Sequence, residues 1–340
     1  MTIQENILLK EHTTFHIGGA ATYFVEVSTI DELQKAVSFA KEKKLKIFIL
    51  GGGSNVLVSD SGFEGLVIKI VIKGRELKEL GEGKVEVVAG AGEEWDAFVG
   101  FVVDQNLFGL ENLSYIPGSV GATPVQNIGA YGSEVKDTIS WVEVFNSESN
   151  ELEKFTNEQC KFAYRDSYFK KSEGKKYIII RVAFLLSRNG KLSTDYKDVK
   201  DYIATNNIFD LTLQKVREII TAIRIKKLPD VKLIGTAGSF FKNPIVPIQH
   251  YKDLLELYPT MPHYVLDTET VKVPAAWILD NLCGFKGYRD GEVGVYQNQA
   301  LVLVNFGGGN ADQVAELAEK MIACVKEKTK IVLEKEVQYI

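Results

Sequence analysis

A run of glycines between two strand-like segments constrains this chain more than any other feature. Lys46–Leu50 is apolar and β-favouring, Gly51-Gly52-Gly53-Ser54-Asn55 follows it, and Val56-Leu57-Val58 then reads as a second strand, not a helix. Glycine lets a backbone approach a phosphate closely and aim successive N–H groups at it. The loop lacks the Gly-Lys-Ser/Thr ending of a nucleotide P-loop. It also lacks the following helix that the dinucleotide-binding fingerprint needs. Taken alone, a glycine-rich β-turn explains it equally well. A second segment changes that balance. Between Gly109 and Gly132 lie five glycines, including Ile116-Pro117-Gly118-Ser119-Val120-Gly121-Ala122 and Gln126-Asn127-Ile128-Gly129-Ala130-Tyr131-Gly132, with little helix or strand pattern. A patternless stretch of that length in a compact domain is usually functional. Two such loops are able to line a cleft for a diphosphate and a flat ring.

The rest of the chain reads as α+β. Thr29-Ile30-Asp31-Glu32 has the form of a capping box, and Leu33, Ala36, Val37 and Ala40 share one helical face behind it. Trp95, Phe98, Val99, Val102 and Val103 mark a helix over about 93–106. Strands are expected within 65–91, at 141–145 and 151–155, and over 177–186. The pattern shifts at Leu213, where Val216, Ile219, Ile220 and Ile223 mark a helix that stops at Leu228-Pro229. Beyond it come a helix over 273–282 and a buried strand at 300–304. A helix over 311–328 follows, with Val314, Leu317, Ala318, Met321, Ile322 and Val325 inward, and then a closing strand over 331–339.

Composition narrows the function. A net charge of −5 argues against a general nucleic-acid binder. No apolar run approaches membrane-spanning length, and the N-terminus has no signal-peptide pattern. Cys160, Cys283 and Cys324 are far apart, without metal or redox spacing, which fits a reducing compartment best. The expectation is a cytoplasmic protein with no metal site.

Several polar residues are candidates for chemistry, each with an ordinary alternative. Arg165, beside Asp166, has the pattern of a surface ion pair. Ser239 lacks the glycine two residues on that a hydrolase elbow requires, since Phe241 stands there, so acyl transfer is disfavoured and a tight turn suffices. Glu334 and Glu336 fall on one face of the last strand, and the pattern does not choose between them. Arg224, Lys226 and Lys227 end a helix, where cations offset the dipole.

These segments, in this order, resemble the UDP-N-acetylenolpyruvoylglucosamine reductase family. The resemblance rests on His12-Thr13-Thr14-Phe15-His16-Ile17-Gly18-Gly19, the Gly51–Val56 and Ile116–Gly132 loops, Tyr164-Arg165-Asp166-Ser167, Lys227-Leu228-Pro229-Asp230, Ala237–Pro244 and Leu333-Glu334-Lys335-Glu336. It implies a two-domain FAD-binding region of the vanillyl-alcohol-oxidase-like type, over 1–72 and 73–212. A C-terminal α+β substrate domain over 213–340 follows, its last strand returning to the active site. Gly51, Gly52, Gly53, Ser54, Asn55, Pro117, Gly118, Ser119 and Gly121 are implied to hold non-covalent FAD, and Gly129, Ala130, Tyr131 and Gly132 to border the flavin. His16 is implied to be structural. The family pattern makes Arg165 face a substrate carboxylate, Ser239 donate a proton and Glu336, chosen over Glu334, stabilise developing charge. Lys227, Arg224 and Asn243 are implied to contact a nucleotide sugar, and Tyr196 matches a tyrosine that closes over the substrate in one subtype. The implied activity is NADPH-dependent reduction of UDP-N-acetylglucosamine enolpyruvate in peptidoglycan precursor synthesis, by a monomer. Two rivals are a flavin oxidase of the same fold, which gives Ser239 and Lys227 no task, and a nucleotide-sugar-binding protein without flavin.

Overall fold

The computed structural model describes residues 1–340. The chain forms two compact units. The first comprises Met1–Ile7, Ala21–Gly52 and Glu64–Ile225, and the second Leu8–Ala20, Gly53–Phe63 and Lys226–Ile340. Both mix helices with sheets, so the architecture is α+β.

The first unit holds two large sheets. In one, the strands run in the order Gln4–Leu8, Ala20–Val27, Phe63–Ile70, Lys46–Leu50, and the last two pair in parallel. Helix α1 (Ile30–Glu42) buries Leu33, Ala36, Val37 and Ala40, as its periodicity predicts. Thr29 caps it by accepting the Glu32 N–H, but the Glu32 carboxylate reaches Ser28 instead of closing the box on Thr29. The other sheet is antiparallel, in the order Leu152–Thr156, Ile139–Asn146, Tyr177–Ser187, Lys84–Gly90, Arg75–Gly81. Helix α2 (Trp95–Asp104) sets Trp95 and Phe98 against Phe184 of the long strand, with ring centroids 5.9 and 5.1 Å apart. All three rings are buried, and the Trp95 indole N–H donates to the Leu113 carbonyl, so no polar atom of the ring goes unmatched. Helix α3 (Lys197–Thr205) and helix α4 (Leu213–Lys227) share a smaller cluster of Val199, Val216, Ile219, Ile220 and Ile223. The α4 stripe is the one its sequence shows.

The second unit contains helices α5 (Ile248–Leu257), α6 (Ala275–Asn281) and α7 (Ala311–Thr329) and two three-stranded sheets. Asn310 and Gln313 form a reciprocal capping box on α7, and Lys330 ends it in a left-handed turn. Ile322, expected inward, is only half-buried; the other five positions of the stripe are buried. The two short segments complete this core with Phe15, Ile17 and Leu57.

Two expectations need correction. Residues 331–339 do not form one strand. Only Gln338–Tyr339 is a strand, paired in parallel with Val56–Leu57, and a single bridge joins Lys335 to Phe241. The alternation is real, since Ile331, Leu333 and Val337 are buried while Val332 and Glu334 are exposed, but no continuous partner strand runs beside it. The cysteines also do not stay apart. Cys283 follows α6, Cys324 lies on α7, and the packing of these helices brings their Cα atoms to 6.1 Å and joins the sulfurs in a disulfide.

Candidate active site

In the first unit, the two glycine loops press backbone against backbone. A Cβ on Gly52 would lie 2.7 Å from the Gly118 Cα, and one on Gly51 would lie 2.5 Å from the Ser119 Oγ. Only glycine fits at Gly52 without moving a main chain. The remainder of the second loop is pinned from behind, with the Val120 and Gly121 N–H groups donating to Glu93 and Ala91 carbonyls and Gly118 O accepting from Trp95. A narrow cradle walled by backbone suits a diphosphate-bearing cofactor such as FAD.

The Gly129–Gly132 segment is a tight hairpin, Gly129–Ala130 against Ser133–Glu134. Arg165 reaches it: Nη2 donates to the Gly129 carbonyl at 2.7 Å. Buried side chains hold the two segments together. Asn127, fully buried, donates to the Ala163 carbonyl and to Glu134, while its Oδ1 accepts the Lys136 N–H. Ser167 Oγ donates to the Val125 carbonyl at 2.6 Å. The expected carboxylate-binding arginine and the expected flavin-side hairpin are thus one braced assembly. Arg165 and Tyr131 both adopt left-handed backbone, at φ 52° and 47°, a conformation bulky residues hold only when their surroundings impose it.

Tyr131 meets Tyr196 edge to face, with ring centroids 5.4 Å apart. Arg224 hydrogen-bonds the Tyr131 side chain and donates from Nε to the Tyr115 carbonyl at 2.9 Å. Burial raises the Tyr131 phenol above its ordinary range, with the Arg224 cation opposing that rise. Arg224 is therefore already engaged in bracing the hairpin. Asn112 is a residue the sequence pattern gave no reason to single out; it is buried behind Tyr131 and donates to that residue's carbonyl.

In the second unit, the Ala237–Pro244 motif is folded around Thr236. Its buried Oγ1 donates to the Leu303 carbonyl at 2.7 Å and accepts the Gly238 N–H at 3.1 Å. That turn leaves Ser239 exposed between buried Ala237 and buried Phe240. Phe240 O accepts the Glu336 N–H at 2.8 Å, and Lys242 N donates to Glu334 O, so Ser239 and Glu336 ride on neighbouring antiparallel backbones. Lys242 also pairs with Glu334 through its side chain, which leaves Glu334 a structural partner. Asn55 Nδ2 donates to the Glu336 carbonyl and Asn55 O accepts the Gln338 N–H. Gly53, at φ +65°, is covered by the His12 carbonyl, 2.1 Å from where a Cβ would stand, and its own carbonyl accepts the Thr14 N–H. His16 bonds the Val231 carbonyl at 2.7 Å. Asn243 Oδ1 accepts the Ala275 N–H at the start of α6. Lys227, the last residue of α4, belongs to this unit, while Arg224 belongs to the first.

Known proteins share this organisation. A model of an FAD binding domain matches residues 21–154, and one of the UDP-N-acetylenolpyruvoylglucosamine reductase C-terminal domain matches residues 229–340. The chain is 43% identical over 341 residues to the UDP-N-acetylenolpyruvoylglucosamine reductase of Flavobacterium johnsoniae, with 100% of both chains covered. It belongs to the UDP-N-acetylenolpyruvoylglucosamine reductase family. The reductase of Chromobacterium violaceum is 41% identical, with 99% of each chain covered. The crystal structure of the reductase from Thermus caldophilus superposes with a TM-score of 0.69 at 26% identity, covering 99% of each chain. The chain is accordingly an FAD-dependent oxidoreductase of this reductase family, and the glycine cradle lies in the part that the FAD-binding model matches.

Proposed function

We propose that this chain reduces UDP-N-acetylglucosamine enolpyruvate to UDP-N-acetylmuramate in peptidoglycan precursor synthesis, with NADPH as hydride source. The observation that carries the reading is the Arg165–Gly129 bond, which fixes a guanidinium beside the hairpin expected to border the flavin. FAD, when bound, would supply the hydride chemistry, with NADPH as the source and the terminal carbon of the enolpyruvate double bond as the acceptor. The protein's residues do the rest. The backbone of Gly51, Gly52, Gly53, Ser54, Asn55, Pro117, Gly118, Ser119 and Gly121 holds the cofactor, and Gly129, Ala130, Tyr131 and Gly132 border its ring. Arg165 offers two parallel N–H groups to the substrate carboxylate. As negative charge develops on the carbon beside that carboxylate, Glu336 hydrogen-bonds the carboxylate and Ser239 delivers a proton to the carbon. A hydroxyl is a weak acid, so it yields its proton only to a base as strong as that carbon.

Lys227, Arg224, the Asn243 amide and Tyr196 bind the nucleotide sugar in this reading. It also makes the protein a cytoplasmic monomer with no nucleic-acid or membrane partner. No helix is long and apolar enough to cross a membrane, and the net charge is −5.

The test uses FAD-loaded protein bleached with one equivalent of NADPH without oxygen. Adding the enolpyruvyl substrate returns the yellow colour at once if the reading is right. Colour that returns only on admitting air refutes it and favours an oxidase.

A further inference from the structure

Asn112 lies in the short turn Glu111–Leu113 and is 2% exposed. Its amide nitrogen has two hydrogens, and each meets a main-chain carbonyl: Tyr131 O at 3.0 Å and Ser193 O at 2.8 Å. The two acceptors are 19 and 81 residues away in sequence. Its Oδ1 is buried without a hydrogen-bond partner. Leaving an acceptor so placed is costly, so the position is poor as mere core filling. What it provides is the pair of donated bonds.

Both carbonyls need such a partner. Tyr131 holds left-handed backbone at φ 47°, and a bond to its carbonyl fixes the peptide that would otherwise relax. Ser193 lies in a segment without regular structure; residues 190–195 make no backbone-to-backbone hydrogen bond. Three residues on, Tyr196 immediately precedes α3, its carbonyl accepting the Val199 and Lys200 N–H groups, and its ring meets Tyr131. One amide therefore clamps the backbones beneath two tyrosines that touch.

We propose that Asn112 is a positioning residue that docks the Ser193–Tyr196 segment onto the Tyr131 hairpin and so sets the rest position from which Tyr196 engages substrate. This rests on the reading of Tyr196 as a substrate-closing residue. Asn112 acts through Tyr196 and touches no reacting atom.

Asn112→Leu fills the same space without donors. In the FAD-loaded protein, hydrogen exchange at the Val199 and Lys200 amides, which bond the Tyr196 carbonyl, should quicken by about tenfold, the scale of one lost hydrogen bond. The KM for the enolpyruvyl substrate should rise by a similar factor while kcat changes less. In a Tyr196→Ala background the same substitution should add less than about twofold to KM, because coupled residues are not additive. Unchanged exchange, or effects that multiply in full in the double variant, would overturn the proposal. If Asn112→Leu does not fold, Asn112→Asp decides. Its carboxyl carries at most one hydrogen where the amide has two, so it cannot bond both carbonyls at any pH, and exchange at the Val199 and Lys200 amides must be faster than in the wild type. Exchange at the wild-type rate would refute the clamp. Should wild-type flavin stay bleached with the enolpyruvyl substrate, the functional reading fails while the exchange experiment still decides the clamp.

Discussion

Gly52→Ala tests the cradle directly. The new methyl would stand 2.7 Å from the Gly118 Cα and 3.0 Å from its carbonyl carbon, whereas carbon atoms settle at about 3.5–4.0 Å. The obstacle is main chain, and the Val120 and Gly121 bonds behind it resist displacement. The loops must part by about 1 Å, a strain in the range of about 1–3 kcal/mol for overpacking. If the FAD-free loops relax by parting, that strain reappears when FAD draws them together, and the dissociation constant rises by about 5- to 140-fold. Titrating apoprotein with FAD and following flavin fluorescence measures it. Gly81→Ala is the control: Gly81 sits at φ +88° with nothing within 4 Å of the added atom, so it loses stability without losing FAD. Wild-type FAD affinity in Gly52→Ala would show that the two loops do not form the diphosphate site.

Three further outcomes follow from particular residues. Ser239→Ala should leave NADPH bleaching of the flavin intact and slow substrate reduction by about 10²-fold or more, as loss of a proton donor does; stopped-flow measurement of the two half-reactions separates them, and equal losses in both would remove the serine from its role. Glu111 is buried, and burial holds its carboxyl above the ordinary value despite N–H donors from Gly109, Glu111 and Leu110. A carboxyl raised on folding favours the folded state below its unfolded pKa and loses that advantage as pH rises through the folded one, so Glu111→Gln should gain stability over wild type as pH increases in denaturant melts, and a pH-independent difference would contradict this. Burial pushes the Cys160 thiol up to about 12, so a thiol reagent applied to the folded, reduced protein should label Cys283 and Cys324 and spare Cys160, as mass spectrometry of the peptides can show.

Much of the fold is legible in the sequence where one face is apolar. Helices α1, α2, α4 and α7 each bury four or more residues at helical spacing. Helix α3 buries only Val199, and α5 only Tyr251 and Leu254; stripes that narrow do not rise above a polar background. The 331–339 segment has period-two alternation without a continuous partner strand, and alternation reports burial while pairing depends on what lies alongside. The Cys283–Cys324 pair is hidden by 41 residues of separation, since α6 and α7 meet through a core to which both contribute, with Ile278, Leu279, Leu317 and Met321 among its members. At the candidate site, the glycine loops stand out by composition, whereas Arg165, Ser239 and Glu336 each have an ordinary explanation in the pattern and are singled out by the family resemblance. Asn112, Asn127 and Ser167 do not stand out, because a buried amide or hydroxyl leaves no periodic trace and its partners are distant carbonyls.

Asn112 and Asn127, with Arg224 and Lys170, explain how the site keeps an unfavourable backbone. Tyr115, Asn127, Tyr131 and Arg165 are all left-handed, at φ 58°, 45°, 47° and 52°. Each costs on the order of 1–2 kcal/mol relative to ordinary backbone, least for Asn127. The carbonyls of Tyr115 and Tyr131 accept from Arg224 and Asn112, and Arg165 O accepts from Lys170. Asn127 uses both ends of its amide to lock Ala163 and Lys136. A bond made by a buried or charged donor contributes about 1–3 kcal/mol, enough to offset one strained residue. The strain is thus matched locally, bond by bond. Removing one brace should free one segment and leave the rest of the first unit folded, and the altered half-reaction identifies the segment it held.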